Sequence, residues 1–303
     1  MIRTLLLAIV IASAAFAAPA AIAQTESAAT ARTQYIDVGG DRIAYRAIGS
    51  GSPIVAVTRM RGTLDTWDPL FLDTLAKSHR VITVDWPGVG YSKGTLPADM
   101  GQAAAFIDAF TRAMKIDRYA VMGWSWGGLA SQALVTDKPE RLTHAILVGT
   151  HPPGPPLQDI SPAFLERAFK PVNDLADEEV LFFEPASEAS RVAAKASRER
   201  IHARPGVDAK IPSTEAEIKA YLSAAKQFRE DSARREALKR TEVPILIVSG
   251  DNDISTHAAN WFPLSNELPT AQLLVLPNAG HGPQHQYPEL SARYIMDFIL
   301  LTR

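Results

Sequence analysis

Short apolar runs at 54–58, 81–85, 119–122 and 145–149 recur along the chain, each separated from the next by a stretch long enough to hold a helix. Such uninterrupted runs, without in/out alternation, predict strands buried on both faces of a parallel sheet. The intervening segments 68–76 and 102–114 carry apolar residues at helical spacing, and 125–135 is helix-prone directly after a strand. Ahead of them, 35–38 and 42–48 are joined at Gly39-Gly40, which predicts an antiparallel hairpin. The alternation resumes with strands at 245–249 and 272–276 and a closing helix over 289–300.

Between 152 and 240 the pattern is suspended. Five prolines, Pro152, Pro153, Pro155, Pro156 and Pro162, open the stretch. Charged, alanine-rich segments follow at 174–183, 187–203 and 215–228, punctuated by Pro205-Gly206 and Pro212. This predicts a helical cap, 152–240, inserted into an α/β core made of 24–151 and 241–303.

The N-terminus changes the picture in another way. Arg3 precedes an uncharged run from Leu5 to Ala18, and Ala21-Ile22-Ala23 precedes Gln24. That is the layout of a cleaved signal peptide, 1–23, and predicts a secreted chain, periplasmic if the source is Gram-negative. No other stretch is long and apolar enough to span a bilayer. With 31 basic and 33 acidic residues, the net charge of -2 gives no reason to expect a nucleic-acid partner. The absence of cysteine removes disulfides, thiolate nucleophiles and cysteine-ligated metals. Oligomeric state leaves no mark on the sequence.

Candidate chemistry centres on Gly123-Trp124-Ser125-Trp126-Gly127-Gly128, between a predicted strand and a helix that starts at once. Glycines on both sides admit a turn too tight for a Cβ and leave the serine hydroxyl exposed at the sheet's C-terminal edge. The helix N-terminus beneath it offers free N–H groups to developing negative charge. Here the chain resembles the α/β-hydrolase fold family, and the resemblance runs from Tyr35 to the C-terminus, strongest outside the cap. It implies a mostly parallel central sheet with helices on both faces and an inserted helical cap. The run 85–92, Asp-Trp-Pro-Gly-Val-Gly-Tyr-Ser, looks like the family's usual turn after that strand.

A serine hydroxyl is a weak nucleophile at neutral pH, so Ser125 needs an imidazole base and a carboxylate to orient it. Of seven histidines, His281 lies in Asn278-Ala279-Gly280-His281-Gly282, where the family carries its catalytic histidine. The acid is expected in Gly250-Asp251-Asn252-Asp253-Ile254. The family's Gly-x-x-Asp pattern selects Asp253 and leaves Asp251 to fix the turn; with Asp251 as the acid the mechanism stands and the assignment falls.

The resemblance assigns the oxyanion hole to the N–H of Trp126 and one from the loop after 54–58, where many relatives carry His-Gly. Here the equivalent positions are Thr58 and Arg59, making Met60 the second donor. Arg59 and Arg61 stand near the expected mouth, able to bind a substrate carboxylate or to lock the loop through ion pairs with Asp65. Trp124, Trp126 and Met60 predict a bulky apolar lining, with Trp124 alternatively packing beneath the turn. A metal is not expected: Gly282 and Pro283 separate His281 from His285, and no His-Glu-x-x-His occurs. His151 follows a strand whose end borders the expected pocket, but by default reads as a surface or loop histidine.

The resemblance implies a cofactor-free carboxylesterase, since enzymes of this family are commonly esterases, with a small, partly apolar substrate. The same triad also serves perhydrolases or haloperoxidases, lactonases, amidases and carbon–carbon bond hydrolases. A catalytically silent ligand-binding protein is the reading from another class, prompted by the altered Thr58-Arg59 loop.

Overall fold

The computed structural model describes residues 26–302. The expected signal peptide, 1–23, lies outside the described residues. Strands β1 (Gln34–Val38), β2 (Asp41–Ile48), β3 (Ser52–Val57), β4 (His79–Val84), β5 (Tyr119–Trp124), β6 (Leu142–Val148), β7 (Ile245–Gly250) and β8 (Ala271–Leu276) form one eight-stranded sheet. Their spatial order is β1-β2-β4-β3-β5-β6-β7-β8. The expected hairpin pairs β1 with β2, β2 is antiparallel to β4, and the remaining pairings are parallel.

Burial on both faces explains the unbroken apolar runs. In β3, Val55 and Val57 join a core on one side of the sheet, with Val121 of β5, Phe110 of α2 (Met100–Ala113) and Leu134 of α3 (Trp126–Asp137). Ile54 and Ala56, alternating with them, join a second core on the other side. That second core includes Phe71 of α1 (Pro69–Leu75) and Ile295 of α10 (Pro288–Leu301).

The stretch between β6 and β7 holds five helices rather than the three expected: α4 (Pro162–Ala168), α5 (Leu175–Phe182), α6 (Glu188–His202), α7 (Glu215–Glu230) and α8 (Ser232–Leu238). Pro162, the last of the five prolines opening the stretch, starts α4 at its first position, where a missing N–H removes no helical bond, and Ser161 caps it. Asp231 caps α8 by accepting the Arg234 N–H at 2.8 Å, inside a charged stretch with little apolar signal. Tyr221 and Phe228 of α7 and Leu238 of α8 are buried in the same core as α2 and α3. Phe164 of α4, Phe182 of α5 and Ala194 of α6 join the opposite core. Among the described residues no helix is long and apolar enough to cross a membrane.

Candidate active site

The loops that follow β3, β5, β7 and β8 meet at the C-terminal ends of the parallel strands. Ser125 sits between β5 and α3 with φ 55° and ψ −117°, a strained conformation for a residue with a Cβ. Its N–H donates to Val148 O at 2.8 Å, fixing the turn to β6. The glycines beside it are required by contact: a Cβ on Gly123 would meet Gly127 O at 2.2 Å, and one on Gly127 would meet Val57 O at 2.4 Å.

His281 enters on the loop between β8 and α9 (Pro283–Gln286). Trp124 Nε1–H donates to His281 O at 2.8 Å, and Gly282 N–H donates to Phe182 O at 2.8 Å, so both the sheet and α5 hold this loop. The His281 ring is buried, with Phe164 packed edge-on against it at a centroid distance of 5.4 Å. Its Nδ1 lies 2.9 Å from Asp253 Oδ2 and its Nε2 lies 2.7 Å from Ser125 Oγ.

Of the two candidate acids, the fold brings Asp253 to the imidazole. Asp253 Oδ1 accepts the N–H groups of Ser255 and Thr256 at 2.8 and 2.9 Å, and Oδ2 accepts the Thr256 hydroxyl at 2.7 Å. Burial by itself would push this carboxyl up, but the His281 ring and the Thr256 bonds outweigh it and hold Asp253 down at about 2. The exposed Asp251 instead accepts the Ala279 N–H at 3.1 Å and the Asn252 side chain at 2.9 Å, fixing the turn. An ionised Asp253 places the imidazole hydrogen on Nδ1 and leaves the Nε2 lone pair facing the serine hydroxyl. Such an arrangement can draw the proton from Ser125 Oγ.

A cavity of about 100 Å³ opens beside Ser125. Trp126, Met60, Leu129, Phe164, Leu181 and Phe182 form its apolar wall, and Arg59, His151 and Tyr221 also line it. Phe164, Leu181, Phe182 and Tyr221 come from α4, α5 and α7, which gave no sequence signal of their place here. His151 donates Nδ1–H to Pro152 O at 2.7 Å, and burial pushes it down to about 4, so it is a neutral side chain. A larger, open cleft of about 920 Å³, including Ser52, His79 and Tyr119, lies at the opposite end of the strands, away from this chemistry.

As the first residue of α3, Trp126 has an N–H with no intrahelical acceptor. The Met60 N–H likewise has no hydrogen bond to another described residue. Two expectations are corrected. Trp124 does not line the cavity: its indole is fully buried against Trp67, Phe182 and His285, held there by the bond to His281 O. Arg61 does not pair with Asp65. Its left-handed backbone, φ 61°, belongs to a turn from which the guanidinium reaches the carbonyls of Ala168, Lys170, Pro171 and Pro212. Asp65 is taken by Arg46 at 2.7 Å, with Arg204 at 3.5 Å. Arg59 does line the cavity, its guanidinium over the Phe182 ring at 4.5 Å, and burial lowers it to about 10, so it remains a cation at neutral pH.

Residues 60–288 match the sequence profile of the alpha/beta hydrolase fold. Over 256 residues the chain is 27% identical to the pimeloyl-(acyl-carrier protein) methyl ester esterase of Nitrosomonas europaea, covering 80% of this chain and 93% of that one. An alpha/beta hydrolase fold protein from Chitinophaga pinensis matches with a TM-score of 0.81 and 32% identity, over 92% of this chain and 100% of that one. The meta-cleavage product hydrolase from Pseudomonas fluorescens IP01 shares the fold, with a TM-score of 0.71 and 19% identity over 89% of this chain and 98% of that one. On the extent of these matches, the chain belongs to the alpha/beta hydrolase fold family.

Proposed function

We propose that the protein is a serine hydrolase working through an acyl-enzyme, and that its substrates are carboxylic esters with a small, partly apolar acyl group. The observation that carries this reading is the continuous line from Ser125 Oγ through His281 to Asp253, with steps of 2.7 and 2.9 Å. In the first half-reaction His281 Nε2 takes the hydroxyl proton as Oγ attacks the ester carbonyl. The N–H groups of Trp126 and Met60 receive the charge that develops on the carbonyl oxygen. Collapse of the intermediate expels the alcohol, which leaves with the proton held by His281. Water then repeats the sequence on the acyl-enzyme, releasing the acid and restoring Ser125. Asp253 orients the ring and stabilises the imidazolium throughout, and these steps call on no cofactor.

The apolar wall supports an acyl or alkyl group of modest size, and a curated relative of matching length is a methyl ester esterase. The reading is tested with a fluorophosphonate probe. Stoichiometric labelling of Ser125 in folded protein, abolished in Ser125→Ala together with esterase activity, is the expected result. A folded protein that neither reacts with the probe nor hydrolyses esters is a ligand-binding member of the fold instead. For the N-terminus, we propose that residues 1–23 direct export, with a mature chain beginning near Gln24; N-terminal sequencing of the protein purified from its native host checks this.

A further inference from the structure

The cavity beside Ser125 has a mostly apolar wall, yet two polar side chains on it have bonding capacity left over. Arg59 gives one bond, from Nη1 to Met60 O at 2.9 Å, while its Nε is buried without an acceptor. Glu178, whose charge reaches Arg59, is itself held by Arg198. Tyr221 projects from α7 with its hydroxyl buried and unpartnered, near the Arg61 N–H but outside hydrogen-bond geometry. Arg61, in contrast, has its guanidinium spread over four carbonyls. Arg229, which also lines the cavity, bonds the exposed Asp159, so the buried donors left without a partner on this wall belong to Arg59 and Tyr221.

Arg59 is half-buried and borders two smaller cavities that Glu178 also lines, but its Nε–H is fully buried without an acceptor, which is unfavourable unless an anion completes it. The ring faces of Phe182 and Trp124, 4.5 and 5.2 Å from the Arg59 guanidinium, offset part of that penalty and hold the group in place. They do not use its in-plane N–H groups. Building on the acyl-transfer reading above, we propose that the preferred substrates are esters bearing a free carboxylate close to the scissile carbonyl, and that Arg59 and Tyr221 bind that carboxylate.

Two magnitudes limit the substrate. Adjacent Cα atoms are about 3.8 Å apart, so Arg59 stands within one arginine side chain of the oxyanion donor Met60. A cavity of about 150 Å³ holds benzene, so the cavity of about 100 Å³ here admits a smaller group. The carboxylate-bearing arm of a short dicarboxylic monoester, smaller than benzene, fits both limits when the scissile ester itself lies at Ser125.

The test compares kcat/KM for monoethyl succinate with that for ethyl succinamate, in which a neutral amide replaces the carboxylate. Wild type is expected to favour the charged ester by about tenfold or more, the scale of a hydrogen bond to a charged group. Arg59→Met is expected to lower that preference by about tenfold, and Tyr221→Phe by a few-fold. If Arg59→Met fails to fold, the wild-type preference and Tyr221→Phe still decide the matter. The proposal is overturned if wild type hydrolyses the neutral ester at least as well, or if folded Arg59→Met keeps the wild-type ratio. In that case turnover of 4-nitrophenyl acetate and labelling of Ser125 leave the acyl-transfer reading standing. Absence of both removes that reading and this one together.

Discussion

Ser125 is held at φ 55° by a turn in which neither neighbouring glycine tolerates a Cβ. Adding one methyl group at Gly127 drives it into Val57 O, a backbone atom in the middle of the sheet. Gly127→Ala is therefore expected to lower stability by about 1–3 kcal/mol or more, read from urea unfolding, and to abolish probe labelling of Ser125. Both glycines are legible in the sequence because the constraint is local. The acid is not legible in the same way, since Asp251 and Asp253 lie two residues apart on one loop. The separation comes from burial: Asp253 is 2% exposed against the His281 ring, while Asp251 faces solvent. Asp253→Asn is expected to cut kcat by about 10⁴-fold through loss of the productive imidazole tautomer. Asp251→Asn should leave kcat within a few-fold and cost about 1 kcal/mol of stability, through its weakened bond to the Ala279 N–H. Steady-state kinetics on the two variants separates the roles.

At the scale of elements, the loop from Thr58 to Asp68 is bolted between sheet and cap. Asp85 Oδ1 accepts the Leu64 N–H at 2.7 Å, Arg46 of β2 holds Asp65, and Arg200 of α6 grips Asp68 with two nitrogens, the shorter contact being 2.6 Å. Arg61 returns the connection by bonding cap carbonyls 107 to 151 residues away in sequence. Cap and loop thus position each other, and with them the Met60 N–H. Removing Arg200 leaves the Asp68 carboxylate buried without its cation, although Arg200 itself is 30% exposed and water partly replaces it. Arg200→Ala is expected to lose about 2–3 kcal/mol, somewhat less than a fully buried pair, seen as a reduced melting temperature with lower kcat. None of these pairings is readable beforehand. Sequence proximity favoured Arg61 with Asp65, and only the packed cap supplied the four carbonyls that took Arg61 instead.

Across the whole molecule, buried titratable groups set the pH response. His151 and His285 are both pushed down to about 4 by burial, His285 accepting the Asp68 N–H at 3.3 Å. Each takes up a proton on unfolding below about pH 6.5, so each favours the unfolded chain as pH falls toward 4. Asp85 acts oppositely: burial raises it to about 7, so the folded state keeps a proton that the unfolded state releases above its ordinary value. His79 and His144 are also lowered by burial, and Glu178, like Asp85, is raised, so the histidines that take up protons on unfolding outnumber the carboxyls that release them. Stability is expected to fall as pH drops from roughly 6 to 4.5, measured as the urea midpoint at each pH.

By itself the sequence determined the alternating core, the hairpin, the strained turn at Ser125 and the loop carrying His281. Those features rest on local signals: unbroken apolar runs for strands buried on both faces, and glycines where backbone leaves no room for a Cβ. Tertiary structure decided how many helices fill the insertion, brought Asp253, which the family pattern had implied, to the imidazole in place of Asp251, set Trp124 behind the site and gathered Arg59, His151 and Tyr221 around one cavity. These depend on which distant segments pack together, because burial and partnership belong to the assembled fold and not to any stretch of chain.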